Sequence, residues 1–308
     1  MIDELITNFF LYWPVFIGIL LIFFTGICIG AFVSGISLFI FSFLCYTLWC
    51  LCREIGIHPI DLFVEIARYM RESFELIMKK RMAAMLPVHG SFPPEGKPVL
   101  YCCHPHGMYA TIWFLHFCSG STGFTRKVKF AVHSFLLRIP VMAQVAELLG
   151  CIEATETDIV AALREGYSVA LLVGGVKEQI LQIENQRQGR RALYLDRKGF
   201  LHVAKKGRAD IVPVYCDVEF SLFEPARGWL LETFQKAWFF IFGMPFTVCT
   251  LDTFKRWVSY MGADSEAVFP TVIGKPISWR LSIATMKKKY KEFFEVQMSN
   301  LLIPVEGY

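Results

Sequence analysis

Two histidines in the segment His104-Pro105-His106-Gly107 have the residue type and spacing for chemistry near neutral pH. The segment follows an apolar run at residues 98–103, whose Val, Leu, Tyr and Cys content predicts a buried strand. Ligands of open α/β sheets bind at the carboxyl ends of the strands, so we expect both imidazoles at such a site. An imidazole titrates close to neutral pH, which suits it to take a proton from an attacking hydroxyl.

A histidine base works best beside a carboxylate that fixes its tautomer, and two glutamates are placed to provide one. Glu178 follows the apolar run 168–173 and Glu219 follows the run 210–216, so both should reach the same sheet edge. We favour Glu178, because Gly174 and Gly175 allow close backbone approach and can offer N–H groups to an oxyanion. Glu219 stays as the alternative partner.

The elements that would position these residues alternate between strands and helices. Besides 98–103, buried strands are predicted at 168–173 and 210–216, with shorter strands at 129–133 and 269–273. Helices are predicted at 108–117, 140–149, 158–165, 200–206 and 284–300. This alternation, with few hairpin signals, predicts an α/β fold with a mixed, largely parallel sheet flanked by helices.

The composition of the chain is too apolar for an ordinary soluble enzyme. Of its 308 residues 55% are hydrophobic, and the mean hydropathy is +0.45. The net charge of +4 is too small to indicate binding to nucleic acid. The 10 cysteines have no zinc-like paired spacing, and we interpret them as reduced, largely buried thiols.

The hydrophobic excess is concentrated in residues 5–52, which contain no charged side chain. As one helix this segment would measure about 72 Å, against about 30 Å of bilayer hydrocarbon, so it must fold back. We therefore predict a membrane-embedded hydrophobic helical hairpin over residues 1–55, with the basic residues that follow on the cytosolic side. Residues 56–90 are predicted to form an amphipathic helix, either packed on the next domain or lying in the membrane interface. Residues 91–308 would then form the domain that carries the histidines.

Several short blocks have the order and spacing of a known enzyme family. They are HPHG at 104–107, RIP at 138–140, VGGVKE at 173–178, RKGF at 197–200 with DIVPVY at 210–215, and VIGKPI at 272–277. Together they resemble the diacylglycerol acyltransferase type 2 family, which includes monoacylglycerol and wax-alcohol acyltransferases. The chain departs from the family pattern where Asp217-Val218 replaces phenylalanine-glycine and only Glu219 is kept.

The resemblance implies a glycerolipid-acyltransferase-like fold and transfer of a fatty acyl group from acyl-CoA to monoacylglycerol or diacylglycerol. The product would be diacylglycerol or triacylglycerol. Two alternatives stay open: a wax ester synthase that uses a long-chain alcohol, and a catalytically inactive, lipid-binding homologue.

Site residues follow from the same resemblance. His106 is expected to be the general base, His104 to orient the loop or the acceptor, and Glu178 to complete the catalytic set. The expected substrate-binding residues are Pro105, Gly107, Gly174, Gly175, Arg197, Lys198, Gly199, Phe200 and Glu219.

The resemblance also implies the partners and the cellular location. Acyl-CoA is a co-substrate, and neither a cofactor nor a metal is expected. The expected partners are acyl-CoA, a neutral lipid acceptor and the membrane, but not nucleic acid, and a homo-oligomer is allowed. The location would be the endoplasmic reticulum membrane, with the catalytic domain in the cytosol, and also lipid droplets.

Overall fold

The computed structural model of the protein describes residues 83–94, 96–118, 124, 128–138, 142–186, 190–243, 245–260 and 265–300. The hairpin expected at 1–55 and most of the amphipathic helix expected at 56–90 lie outside the described residues. Across the ranges that are described, no helix combines the length and the apolar character needed to cross a bilayer.

The described strands form a seven-stranded sheet. In chain order they are β1 (Val88–His89), β2 (Val99–His104), β3 (Val128–Val132), β4 (Cys151–Glu153), β5 (Ser168–Leu172), β6 (Asp210–Tyr215) and β7 (Thr271–Ile273). Their order across the sheet is β1-β7-β6-β2-β5-β3-β4. Strand β2 is therefore the middle strand, and all of its residues are buried.

Most neighbouring strands run parallel. Strand β2 is parallel to β5 and β6, β5 is parallel to β3, and β1 is parallel to β7, whereas β7 is antiparallel to β6. The loops that follow β2, β5 and β6 consequently leave the same edge of the sheet. The predicted mixed, largely parallel sheet is confirmed, and the segments that follow these three strands carry His106, Glu178 and Glu219.

The described helices flank the sheet. They are α1 (Thr111–Cys118), α2 (Met142–Leu148), α3 (Glu156–Arg164), α4 (Gly175–Gln186), α5 (Gly199–Gly207), α6 (Trp229–Phe242), α7 (Leu251–Tyr260) and α8 (Ile283–Asn300). Short 3-10 turns occur at Leu136–Arg138 and Asp217–Phe220. Thr155 caps α3 by accepting a hydrogen bond from the backbone N–H of Asp158 at 3.2 Å, which stabilises the start of that helix.

The two faces of β2 pack against different helices, because alternate side chains of a strand point to opposite sides of its sheet. Leu100 and Cys102 enter a core that α3, α5 and α8 complete. Tyr101 points the other way, where its ring lies 5.8 Å from that of Phe117 on α1. His104 follows Cys102 by two residues, so its imidazole points towards α8.

The chain forms two compact units. One comprises Met1–Phe74 and Val132–Cys151, and the other comprises Glu75–Ala131 and Ile152–Tyr308. In the first unit the described residues include α2, which confirms the helix expected at 140–149. Every residue expected at the catalytic or substrate-binding site belongs to the second unit.

The structure also contains elements that the sequence pattern did not indicate. Strands β1 and β4 have two and three residues, too few for any periodicity to be visible. Because β1 is part of the sheet, the sheet begins ahead of the boundary predicted at residue 91. The helix expected from residue 108 begins at Thr111 instead, after Ala110 adopts a left-handed φ of 57°.

Candidate active site

The loop His104–Gly107 joins the middle strand of the sheet to helix α1. His104 is the last residue of β2, and a cis peptide bond joins it to Pro105. Gly107 has a φ of +67°, a left-handed conformation that glycine adopts without steric cost. The carbonyl of Pro105 accepts a hydrogen bond from the indole N–H of Trp113 at 2.7 Å. The loop is thereby attached to the helix that follows it.

Helix α4 holds the backbone of this loop through one polar face. Oε1 of Glu178 accepts a hydrogen bond from the backbone N–H of His106 at 2.7 Å. One turn later, Oε1 of Gln182 accepts one from the N–H of Gly107 at 2.7 Å. Gln179 donates its side-chain amide to the carbonyl of Met108, directly after the loop, at 2.6 Å. Since residues four apart lie on the same side of a helix, one face fixes successive peptide groups.

His104 is fully buried, and both of its ring nitrogens have partners. Its Nδ1 lies 2.6 Å from Oε2 of Glu178, and its Nε2 lies 2.7 Å from the hydroxyl of Tyr290 on α8. A carboxylate can only accept, so Nδ1–H donates to Glu178 and Nε2 accepts from the hydroxyl. With both nitrogens engaged, His104 is suited to hold the loop in place and not to take a proton from a substrate.

His106 is partly exposed, and its ring is arranged differently. Nδ1 lies 2.9 Å from the carbonyl oxygen of Gly107. A carbonyl only accepts, so Nδ1 carries the proton and Nε2 keeps the basic lone pair. Desolvation lowers the pKa of His106 below its usual 6.5, and the charge of Arg197 acts in the same direction. The Gly107 carbonyl and the carboxylate of Glu178 oppose this decrease. The ring is therefore neutral at pH 7, as a general base must be.

Two glycines before Glu178 make room for charged side chains. A Cβ at Gly174 would overlap the side chain of Glu178, carboxyl group included. Gly175 has a φ of +51°, and the guanidinium of Arg197 lies 3.4 Å from where its Cβ would be. The first N–H groups of an α-helix have no partner within the helix, so the start of α4 adds donors beside this cation.

The RKGF block serves two different purposes. Arg197 is exposed beside the start of α4, and its charge acts on His106. Lys198 and Gly199 are exposed at the beginning of α5. Phe200 is buried, and its ring lies 4.7 Å from that of Tyr290. The structure thus brings Arg197 to the site and places Phe200, which we had expected to bind substrate, in the core behind it.

Glu219 is buried on the opposite side of the loop from Glu178. Its two carboxylate oxygens accept hydrogen bonds from the backbone N–H groups of Thr111 at 3.1 Å and Ile112 at 2.8 Å. Burial raises the pKa of Glu219 to about 8, although both of these hydrogen bonds lower it. A Cβ at Gly107 would collide with this carboxylate. The geometry of Glu219 is that of a cap on α1 and a support for the loop, and its contact with substrate stays a prediction.

Several residues of the site are not among those expected from the sequence. Gln179 and Gln182 could have been recognised from the polar face that they share with Glu178 at helical spacing. Tyr290 lies 186 positions from His104, in the last helix of the domain. No sequence pattern around it indicates that its hydroxyl contacts His104. Tyr194 contributes a backbone N–H to Oε2 of Glu178 at 2.8 Å, which side-chain motifs cannot show.

Proteins of known family resemble this chain over much of its length. The diacylglycerol acyltransferase family profile matches residues 65–304. Diacylglycerol O-acyltransferase 2B of Umbelopsis ramanniana is 28% identical, across 54% of this chain and 50% of that protein. 2-Acylglycerol O-acyltransferase 3 of Homo sapiens is 28% identical, across 60% and 56%. Acyl-CoA wax alcohol acyltransferase 1 of Mus musculus is 27% identical, across 39% and 38%.

One solved structure is also similar to this fold. The 1-acyl-sn-glycerophosphate acyltransferase PlsC of Thermotoga maritima has 14% identity and a TM-score of 0.44, and the match covers 83% of this chain and 89% of that one. This chain spans about half the length of the curated relatives it matches. Because the family profile matches well over half of the sequence, the chain belongs to the diacylglycerol acyltransferase family.

Proposed function

We propose that the protein is an acyl-CoA-dependent O-acyltransferase that esterifies an uncharged glyceride, either monoacylglycerol or diacylglycerol. The observation that carries this proposal is the tautomer of His106. Its Nδ1–H donates to the carbonyl of Gly107 at 2.9 Å, so Nε2 is left as a base in a partly exposed side chain. Family membership supplies the reaction class in which such a base has a use.

The reaction requires His106 to take one proton from the acceptor and to give it to the leaving group. Nε2 of His106 takes the proton of the acceptor hydroxyl while that oxygen attacks the thioester carbonyl. The tetrahedral intermediate then collapses, the carbon–sulfur bond breaks, and coenzyme A leaves as the thiolate. The thiolate takes the proton from the imidazolium, which returns His106 to its neutral form. The products are an ester and free coenzyme A.

Positive charge beside His106 supports the anionic species in this reaction. Arg197 and the first N–H groups of α4 are suited to stabilise the oxyanion of the intermediate or the phosphates of coenzyme A. Arg197 belongs to the substrate-binding residues that the RKGF block predicts, and it lies beside the start of α4. A phosphorylated acceptor would compete with these groups for Arg197, which favours an acceptor without charge.

An intact polar set argues against the inactive, lipid-binding alternative. His106, Glu178 and Glu219 all converge on one loop, whereas an inactive homologue would be expected to have lost one of them. A wax ester synthase is the second candidate, and the similarity to a wax alcohol acyltransferase supports it.

The proposal extends to where the protein works. A hydrophobic hairpin at 1–55 would anchor it in the endoplasmic reticulum membrane, with the domain at 91–308 in the cytosol and access to lipid droplets. Glycosylation reporters at Met1 and at Tyr308 test this orientation. Glycosylation of either end would contradict it, because only the lumenal side carries that modification.

Product analysis tests the reaction itself. The full chain in membranes is incubated with labelled acyl-CoA and, separately, with monoacylglycerol, diacylglycerol, a long-chain alcohol or lysophosphatidic acid. We expect label in diacylglycerol or triacylglycerol, absent with His106→Ala and retained with His89→Ala, which changes an exposed histidine on edge strand β1. Label only in wax ester would favour the second candidate, and label only in phosphatidic acid would overturn the uncharged acceptor.

A further inference from the structure

Helix α6 exposes an almost entirely apolar face. Trp229 is 76% exposed, Leu230 66%, Phe240 91% and Ile241 67%. At 100° per residue these four side chains fall within about one third of the helix circumference. The remaining residues within that third are Thr233 and Ala237, so none of the six is charged.

Helix α7 adds a second apolar stripe. Leu251, Phe254 and Val258 recur at helical spacing and are 51%, 42% and 53% exposed. A soluble protein rarely leaves two neighbouring helices of its chain in this state, because each exposed apolar side chain orders water without a compensating contact. We call the exposed apolar residues of α6 and α7 together the α6–α7 surface.

Basic side chains accompany this surface. Arg227 precedes α6, Lys236 borders its apolar face, and Lys255 lies beside the stripe of α7, all three exposed. Arg256 lies 3.7 Å from Glu224, so that cation is already balanced. Cations bordering an apolar face with a tryptophan at one end are the pattern of a helix that lies in the headgroup region of an anionic membrane.

The length of α6 decides between crossing a bilayer and lying on one. Its 14 residues extend about 21 Å, less than the roughly 30 Å of bilayer hydrocarbon. Lys236 on the border of the face also excludes a lipid-surrounded crossing helix. The helix is therefore suited to the interface plane, with its apolar face towards the acyl chains.

A short covalent and hydrogen-bonded path connects α6 to the loop that carries His106. Tyr109, three residues after His106, donates its hydroxyl to the carbonyl of Thr247 at 3.1 Å, just beyond the end of α6. The ring of Tyr109 also lies 5.1 Å from that of Phe223. The segment that joins α6 to α7 is thus hydrogen-bonded to the residues that follow the HPHG loop.

We propose that the α6–α7 surface docks the second unit on the lipid bilayer, with Arg227, Lys236 and Lys255 directed to anionic headgroups. It is a contact separate from the hydrophobic segment 5–52 and places the site at the surface where a glyceride acceptor dissolves. The three cations outnumber the two acidic side chains of α6 and α7, Glu232 and Asp252. This excess of positive charge favours an anionic bilayer over the other occupants of an apolar face, which are segment 5–52 of the same chain and a second copy of the protein.

Site-specific photocrosslinking identifies the occupant without depending on activity. The photoreactive p-benzoylphenylalanine replaces Phe240, and in a matched control it replaces Lys288, an exposed residue of α8. The full chain is reconstituted in vesicles of phosphatidylcholine and phosphatidylserine in which one lipid at a time is labelled. We expect at least tenfold more lipid adduct from position 240 than from position 288.

Each other result overturns the proposal. A crosslink from position 240 into residues 5–52, identified by peptide mapping, would make the surface an internal contact. A crosslinked dimer would make it a subunit interface, and equal lipid adducts from both positions would show no specific contact. Lys236→Gln and Lys255→Gln should each reduce the preference for phosphatidylserine adducts about fivefold. An unchanged preference would remove the part assigned to the cations. This experiment measures contact with lipid and not acyl transfer. A negative result would therefore overturn the docking proposal without contradicting the proposed reaction.

Discussion

The two sides of the HPHG loop have the same residue type and opposite surroundings. On one side His104 is buried, with Nδ1 on Glu178 and Nε2 on the hydroxyl of Tyr290. On the other side His106 is partly exposed, and its Nδ1 is bound by the carbonyl of Gly107. Both ring nitrogens of His104 are engaged, which suits it to a structural role, whereas the remaining lone pair of His106 suits it to be the base that we propose. Position in a motif therefore says less about a histidine than the partners of its two nitrogens.

One carboxylate nevertheless serves both sides. Glu178 accepts from the ring of His104 through Oε2 and from the backbone of His106 through Oε1. It orients the base by holding its peptide group, and not by contact with its ring. This arrangement differs from a dyad in which the carboxylate binds the catalytic imidazole directly.

Alanine replacements of the two histidines should have the largest effects of the changes considered. They should separate the catalytic role proposed for His106 from the structural role of His104. His106→Ala should lower turnover about 10²–10⁴-fold, as loss of a general base does, with little change in the free energy of unfolding. His104→Ala leaves buried partners unsatisfied and should lower the free energy of unfolding by about 1–3 kcal/mol, with the smaller loss of turnover. Turnover and denaturant unfolding of both variants check this, and the opposite pattern would exchange the roles of the histidines.

Removing the charge of Glu178 should affect both His104 and His106, and so lower both turnover and the free energy of unfolding. Glu178→Gln keeps the size of the side chain but offers an amide group where two donors now converge on oxygen. We expect a loss of turnover of about 100-fold from misplacement of the loop. The free energy of unfolding should fall by about 1–3 kcal/mol, because the buried donors of His104 and Tyr194 would face an amide group in place of a carboxylate oxygen. Glu184→Gln, an exposed change on the same helix, is the control, and equal behaviour of both variants would contradict the shared role.

The pH dependence of kcat/KM should report the titration of His106 and not that of His104. The base must be unprotonated, so activity falls as pH decreases through the pKa of His106. Desolvation lowers that pKa, so the acid limb should lie below pH 6.5, with about tenfold less activity per pH unit beyond it. Arg197→Gln removes a charge that lowers the pKa, and should move the limb to higher pH. An unmoved limb in this variant would mean that another group controls the profile.

The smallest effect should come from a change beside the buried His104. Tyr290→Phe removes the hydroxyl on Nε2 of His104 and keeps the ring that packs on Phe200. We expect a loss of about 0.5–1.5 kcal/mol in the free energy of unfolding and an unchanged pH profile, since His106 is not contacted. Tyr167→Phe, on an exposed tyrosine, provides the comparison in the same unfolding assay. A shifted acid limb in Tyr290→Phe would indicate that the two sides are coupled.

Sequence patterns predicted the parts of this fold that are decided locally. The long strands β2, β5 and β6 were visible because a strand buried on both faces is a continuous apolar run. The short strands β1 and β4 exist only through pairing with distant neighbours, which no run of two or three residues can reveal. Helix α4 was missed because its glycine-containing start conceals a helical propensity that its polar face would otherwise show.

The site was predictable to a similar degree. The motif and the preference for Glu178 located the loop and the carboxylate that holds it. The different burial of His104 and His106 depends on Tyr290, which packs there only in the folded chain. The capping position of Glu219 depends on where α1 begins, and that start is set by the left-handed conformation of Ala110.

The distance along the chain between His104 and Tyr290 has a consequence for biosynthesis. A ribosome that adds about 5–20 residues per second needs about 10–40 seconds to extend the nascent chain by the 186 positions that separate them. Throughout that interval the imidazole of His104 lacks its hydroxyl partner, and the core between β2 and α8 cannot close. A prematurely terminated polypeptide could therefore carry the complete HPHG loop and still lack the arrangement that distinguishes its two histidines. The site around the HPHG loop is therefore completed late during translation, only after α8 has been synthesised.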